Sequence, residues 1–119
     1  MSPRLIVFAK LPVAGRVKTR LAATVGDAVA LEIHWRLVEA TVELVRGLPG
    51  VRRELRHDDC GRTPDAGTRA WLDALADAGW LVAPQRGPDL GARMENALAD
   101  ALAAGDTPVL IGSDCPVLG

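Results

Sequence analysis

The chain has 119 residues, 49% of them hydrophobic, with 14 Lys and Arg balanced by 15 Asp and Glu for a formal net charge of −1. That length gives one small domain, enough to bury a sheet with helices on it, and the balanced charge excludes the strongly basic surface of a dedicated nucleic-acid binder. Two cysteines, Cys60 and Cys115, make no disulfide framework, and the apolar start is too short for a secretory signal or a membrane span, so a cytoplasmic protein without a membrane partner is expected.

Residues 4–9, Arg-Leu-Ile-Val-Phe-Ala, are β-rich and almost wholly apolar, as a strand buried on both faces should be. Pro12 and Gly15 then mark a loop. A long helix is predicted over 27–46 with Asp27 as its cap. Leu31, Trp35, Val38, Val42 and Val45 form its apolar stripe, and Glu32, Arg36, Glu39 and Glu43 its solvated side. His34 lies inside this helix and reads as packing rather than chemistry. The run Leu48-Pro49-Gly50 ends it.

Residues 51–57 are a second strand, carrying more charge than a buried strand usually does. A polar loop follows over 58–67. Residues 68–78 form a helix with Trp71, Leu72 and Leu75 inward and Gly79 at its end. A short strand over 80–83, a loop over 84–89 and a helix over 90–104 come next, the last with Leu90, Met94, Ala97 and Ala101 in register. The final strand spans 107–112, with Pro108 tolerated near its start. The β-α-β-α-β-α-β order predicts an α/β fold with a mostly parallel sheet and flanking helices. Ligands bind beyond the carboxyl ends of such strands, where residues 10–20, 57–60 and 113–116 should gather.

The first of these segments carries four cations, Lys10, Arg16, Lys18 and Arg20, with no acid among them. Gly15 allows a close backbone approach, and amides at a helix start together with Lys and Arg suit a phosphate. Lys10, Gly15, Lys18, Thr19 and Arg20 are therefore candidate nucleotide contacts, against the alternative of a solvated basic loop. Val17 stands where a P-loop needs glycine before Lys-Thr. The G-x-G-x-x-G of a dinucleotide fold is also missing.

Asp114 falls just past the last strand, where a carboxylate could hold a divalent cation that bridges phosphates. Ser113-Asp114-Cys115-Pro116 is equally good turn chemistry, and spacing alone leaves the two readings open. Asp89 reads as a helix cap. Gly91 and Arg93 have no such structural explanation and are placed against a ligand or the first loop. The cluster His57-Asp58-Asp59-Cys60 has metal-ligand residue types, but neighbouring side chains point apart and no second cluster completes a zinc site. Neither Asp58 nor Asp59 is singled out as a general base, and no catalytic residue is assigned.

Three blocks together resemble a bacterial family of GT-A-like transferases, often labelled glycosyltransferases and in some members tied to arsenosugar biosynthesis. They are A-K-x-P-x-x-G-x-V-K-T-R-L at 9–21, Q-x-G-x-D-L-G-x-R-M at 85–94 and G-S-D-C-P at 112–116. The chain is also similar to 2-phospholactate guanylyltransferase in its Lys-Thr-Arg-Leu-Ala at 18–22. The resemblance implies the nucleotide-diphosphosugar transferase fold, phosphate contacts from Lys18 and Arg20, and Mg²⁺ or Mn²⁺ on Asp114. It implies a nucleotide sugar as substrate, or a nucleoside triphosphate if the chain is a nucleotidyltransferase that releases pyrophosphate. Relatives continue beyond the third block, so residues 1–119 are expected to be a single nucleotide-binding domain incomplete at its C-terminus. An inactive nucleotide-binding fragment is the third reading, and self-association through uncovered apolar strand surface is expected.

Overall fold

A computed structural model of the chain describes residues 2–11, 26–59 and 63–112, with Asp27 described by its backbone alone. The apolar run at 5–9 cannot face water on either side, and it lies in the middle of the sheet. It forms the interior of β1 (Pro3–Lys10), with Ile6 and Val7 fully buried. Among the described residues six elements follow in the expected alternation: α1 (Asp27–Arg46), β2 (Arg52–Asp58), α2 (Ala66–Asp77), β3 (Leu81–Pro84), α3 (Leu90–Ala103) and β4 (Thr107–Gly112). The strands are all parallel, in the order β3-β2-β1-β4. The chain thus moves outward from β1 through β2 to β3, then crosses to the other side of β1. A crevice opens at such a reversal, past the carboxyl ends of the strands.

The two faces of the sheet are covered differently. Val7, Ala9 and Leu11 pack with Leu55 against Val38, Val42 and Val45 of α1 and Leu72 and Leu75 of α2. On the opposite face Ile6 and Phe8 meet Ala97 and Ala101 of α3, with Met94 and Leu110 at the margin. The small alanines let α3 lie close to the sheet, at the cost of a thin apolar layer there. At the free edge of the described sheet, Val109 of β4 is 52% exposed.

The first expected helix begins at Asp27, but its cap is Gly26 rather than Asp27. Gly26 has φ 91° and ψ 159°, a left-handed entry that a side chain would resist. The buried stripe of α1 runs through Ala30, His34, Val38, Val42 and Val45, while Leu31 and Trp35 are half-buried beside it. His34 takes a stripe position because its Nε2 donates to the carbonyl of Lys10 at 2.7 Å, tying α1 to the end of β1. Trp35 turns instead toward Trp71 of α2, with ring centroids 4.8 Å apart at 66°, the edge-to-face geometry aromatic pairs favour.

β2 is a strand despite its charge, because each buried charge has a partner. Glu54, only 2% exposed, accepts from Arg4 of β1 at 2.9 Å and from Arg56. Arg4 also donates to Asp106 at 2.8 Å, which Arg52 joins at 3.0 Å. Arg56 reaches Asp100 of α3 at 2.9 Å. The ion network therefore fills the part of this face that α3's small apolar side leaves. Burial works to lower the pKa of Arg56, but its bonds to Glu54 and Asp100 outweigh that and raise it. The bond from Arg56, joined by Arg86, holds the Asp100 carboxyl below its usual range against partial desolvation.

Candidate functional site

Parallel pairing puts Lys10 beside Asp58 and Phe8 beside Gly112, while Gln85 follows β3 and donates its amide to the carbonyl of His57 at 2.8 Å. Phe8, Lys10, Asp58, Gln85 and Gly112 border one cleft of about 400 Å³, completed by Ala9 and by Leu90 and Arg93 of α3. The cleft lies at the topological reversal between β1 and β4. Sheet order, not sequence proximity, assembles it.

Arg93 is the best-anchored cation of the cleft. Its Nε donates to the carbonyl of Gly87 at 3.0 Å, and its Nη1 lies 3.4 Å from both Gln85 Oε1 and Asp58 Oδ2. The Gln85 amide group in turn donates from Nε2 to the carbonyl of Arg56 at 3.2 Å. Lys10, at the exposed end of β1, forms no ion pair among the described residues. One side of the cleft is thus a set of mutually bonded polar groups, and the other carries an ammonium with no ion pair among the described residues.

The loop between β3 and α3 needs glycine at one position. Gly87 has φ +140°, and a Cβ there would stand 2.9 Å from the Arg93 amide nitrogen. Asp89 caps α3 as expected, its carboxylate accepting from the Ala92 amide at 2.8 Å. Gly91 lies exposed in the first turn of α3, where a Cβ would meet only Asp89 Oδ1 at an ordinary 3.5 Å. It does not line the cleft, although its neighbour Leu90 does.

Alternation along β2 separates His57 from Asp58 in the 57–60 cluster, of which Cys60 lies outside the described residues. Asp58 faces the cleft, whereas His57 binds Asp59 through Nδ1 on the side of α2, in a second hollow with Arg69 and Asp73. Among the described residues no group of three His, Cys, Asp or Glu side chains is placed to hold a metal ion. No helix of the described residues is long and apolar enough to cross a membrane. Gly15, Lys18, Thr19, Arg20 and Asp114 lie outside the described residues. Of the expected site residues, the structure brings Lys10 and Arg93 together. It adds Gln85 and Leu90, which belong to the block at 85–94 but were given no role, and Asp58, expected at this edge without a role.

The parallel sheet in this order, with the cleft at its reversal, is an α/β fold, and its superposition on a solved relative makes it the nucleotide-diphosphosugar transferase fold. A solved structure from Desulfovibrio desulfuricans G20, described as a "putative nucleotide-diphospho-sugar transferase", superposes with a TM-score of 0.80 at 30% identity. That superposition covers 98% of this chain and 49% of the other, so the chain spans about half the length of that relative. Residues 41–119 match the model of a family described as "Uncharacterized protein conserved in bacteria (DUF2064)", and the chain belongs to that family. The matched stretch includes the blocks at 85–94 and 112–116, whereas the block at 9–21 precedes it. No curated protein matches the chain.

Proposed function

We propose that this chain is the nucleotide-binding part of a GT-A-type glycosyltransferase that uses a nucleotide-diphosphosugar donor. The observation that carries the reading is the cleft at the reversal of the parallel sheet, with Lys10 at its rim where the cation-rich segment 10–20 begins. The solved relative's description supports a transferase of this donor class.

In this reading Lys10, Lys18 and Arg20 neutralise the diphosphate, with Gly15 and Thr19 offering backbone and hydroxyl contacts to its oxygens. Arg93 adds positive charge from the opposite wall, whereas Gly91, outside the cleft lining, would meet a ligand only where it extends past the cleft along the first turn of α3. Glycosyl transfer breaks the bond from the anomeric carbon to the diphosphate and forms one to an acceptor oxygen, whose proton must leave. Charge therefore accumulates on the departing diphosphate, and fixed cations lower the barrier by meeting it there. A divalent cation on Asp114, Mg²⁺ or Mn²⁺, would supply further Lewis-acid stabilisation of that charge. Asp58 is tied to Arg93 and suits holding that arginine better than a second cation.

Isothermal titration of the 119-residue chain with nucleoside diphosphates, triphosphates and nucleotide sugars, with and without Mg²⁺, tests the reading. Tightest binding of a diphosphosugar, weakened about tenfold or more in Lys18→Ala and stripped of its metal dependence in Asp114→Ala, is the expected result; a lost charge-assisted contact costs about 1.5–3 kcal/mol. A preference for triphosphates, with pyrophosphate released in the presence of a phosphorylated acceptor, would replace this reading by a nucleotidyltransferase. Absence of binding by a folded sample would refute it.

A further inference from the structure

The cleft wall contributed by the loop after β3 is held from outside the cleft. Arg56 on the sheet and Arg86 in the loop both donate to the same oxygen, Oδ2 of Asp100 on α3. Gln85, the covalent neighbour of Arg86, donates its side-chain amide back to the carbonyl of Arg56. The four residues close a ring: Arg56 to Asp100, Asp100 to Arg86, Arg86 through the peptide bond to Gln85, and Gln85 to Arg56. Asn96 of α3 adds a bond to the Arg86 carbonyl at 2.8 Å.

Only Gln85 of this ring faces the cleft. Both ends of its carboxamide are engaged on protein groups, Nε2 on Arg56 and Oε1 toward Arg93. Its position therefore depends on where the loop backbone is pinned. Arg56 cannot shift to follow the loop, because its side chain is 7% exposed and bonded to buried Glu54. Asp100 is consequently fixed from the sheet side, and the Arg86 side chain registers the loop to it, beside the bonds that Asn96 and Arg93 make to the loop carbonyls.

We propose that Arg86 is a positioning residue for the cleft: its ion pair with Asp100 sets the loop that carries Gln85, without itself contacting the ligand. This rests on the cleft being the nucleotide site. Fixed polar groups bind with less ordering cost than mobile ones, so loosening the loop raises the cost of binding. The Arg86 side chain is 59% exposed and that of Asp100 is 42% exposed, so losing the pair should leave the global fold intact.

The test measures amide exchange of the peptide spanning residues 81–90, whose Gln85 amide is protected by the His57 carbonyl, and titrates the nucleotide that binds the unaltered chain best. Arg86→Ala should exchange there about two- to fivefold faster and bind about two- to fivefold more weakly, with little change in melting temperature, as expected for a partly exposed ion pair. Arg86→Lys, which retains a charge for Asp100, should recover part of both effects. Arg52→Ala removes another partly exposed ion pair at the far end of the sheet and should leave the 81–90 peptide unchanged. Unchanged exchange in Arg86→Ala overturns the proposal, as does equal loosening in Arg52→Ala. If the unaltered chain binds no nucleotide, the functional reading fails by itself, and the exchange comparison still decides whether Arg86 pins the loop.

Discussion

Glu54 sits between two arginines that have almost no water to turn to. Arg4 and Arg56 are 6% and 5% exposed, and Glu54 itself is 2% exposed. A buried ion pair gains little over well-packed apolar groups, because desolvation consumes most of the attraction. Removing one member is different, since its partners keep their charge and lose its compensation. Glu54→Ala strips both arginines of their shared acceptor, leaving Arg4 with Asp106 and Arg56 with Asp100. The expected loss is about 3–5 kcal/mol in urea unfolding. Glu54→Gln keeps the shape and one acceptor oxygen, and should lose less. Equal stability of Glu54→Ala and the unaltered chain would mean that water reaches these side chains.

At the scale of elements, α3 matters most because it closes the thinly covered face and borders the cleft. Its start is fixed by Asp89, whose carboxylate takes the Ala92 amide. Asp89→Ala should cost about 1 kcal/mol in thermal or urea unfolding, and Asp89→Ser should retain most of it. An unchanged midpoint in Asp89→Ala would show that the loop alone fixes the helix start. This cap was legible in the sequence, as was the alternation of elements, because both are local signals. The apolar run at 5–9 likewise had one reading, a strand covered on both faces. The charge of β2 did not announce its reason, since Glu54 finds Arg4 fifty positions away and Arg56 finds Asp100 forty-four positions away. The stripe of α1 was read through Leu31 and Trp35 because they are large and apolar. The structure places His34 there, since the Lys10 carbonyl at the end of β1 needs a donor. The site divides in the same way. Lys10 and Arg93 stood out by charge and motif, whereas Asp58, Gln85 and Leu90 became neighbours only once the strand order was known.

Across the whole molecule, acid should act on the bonds that join its layers and cap its helices. Asp100 links the sheet, α3 and the cleft loop, and its carboxyl is held below its usual value first by Arg56 and then by Arg86. Asp65, which caps α2, is lowered chiefly by the backbone amide of Thr68. Each therefore binds a proton more weakly in the folded chain than in the unfolded one. As pH falls, the unfolded chain takes up protons first and stability declines with it. The stabilisation is complete above the unfolded aspartate value of about 3.9 and disappears as the pH drops through the lower folded values. Arginine partners stay charged throughout, so nothing on their side offsets the loss. The urea midpoint should therefore hold near pH 5 and decline below about pH 4. Asp100→Asn combined with Asp65→Asn should be less stable at pH 5 and lose less on acidification, so that the two curves draw together as the pH falls. Parallel curves over that range would place the acid-sensitive linkage elsewhere in the molecule.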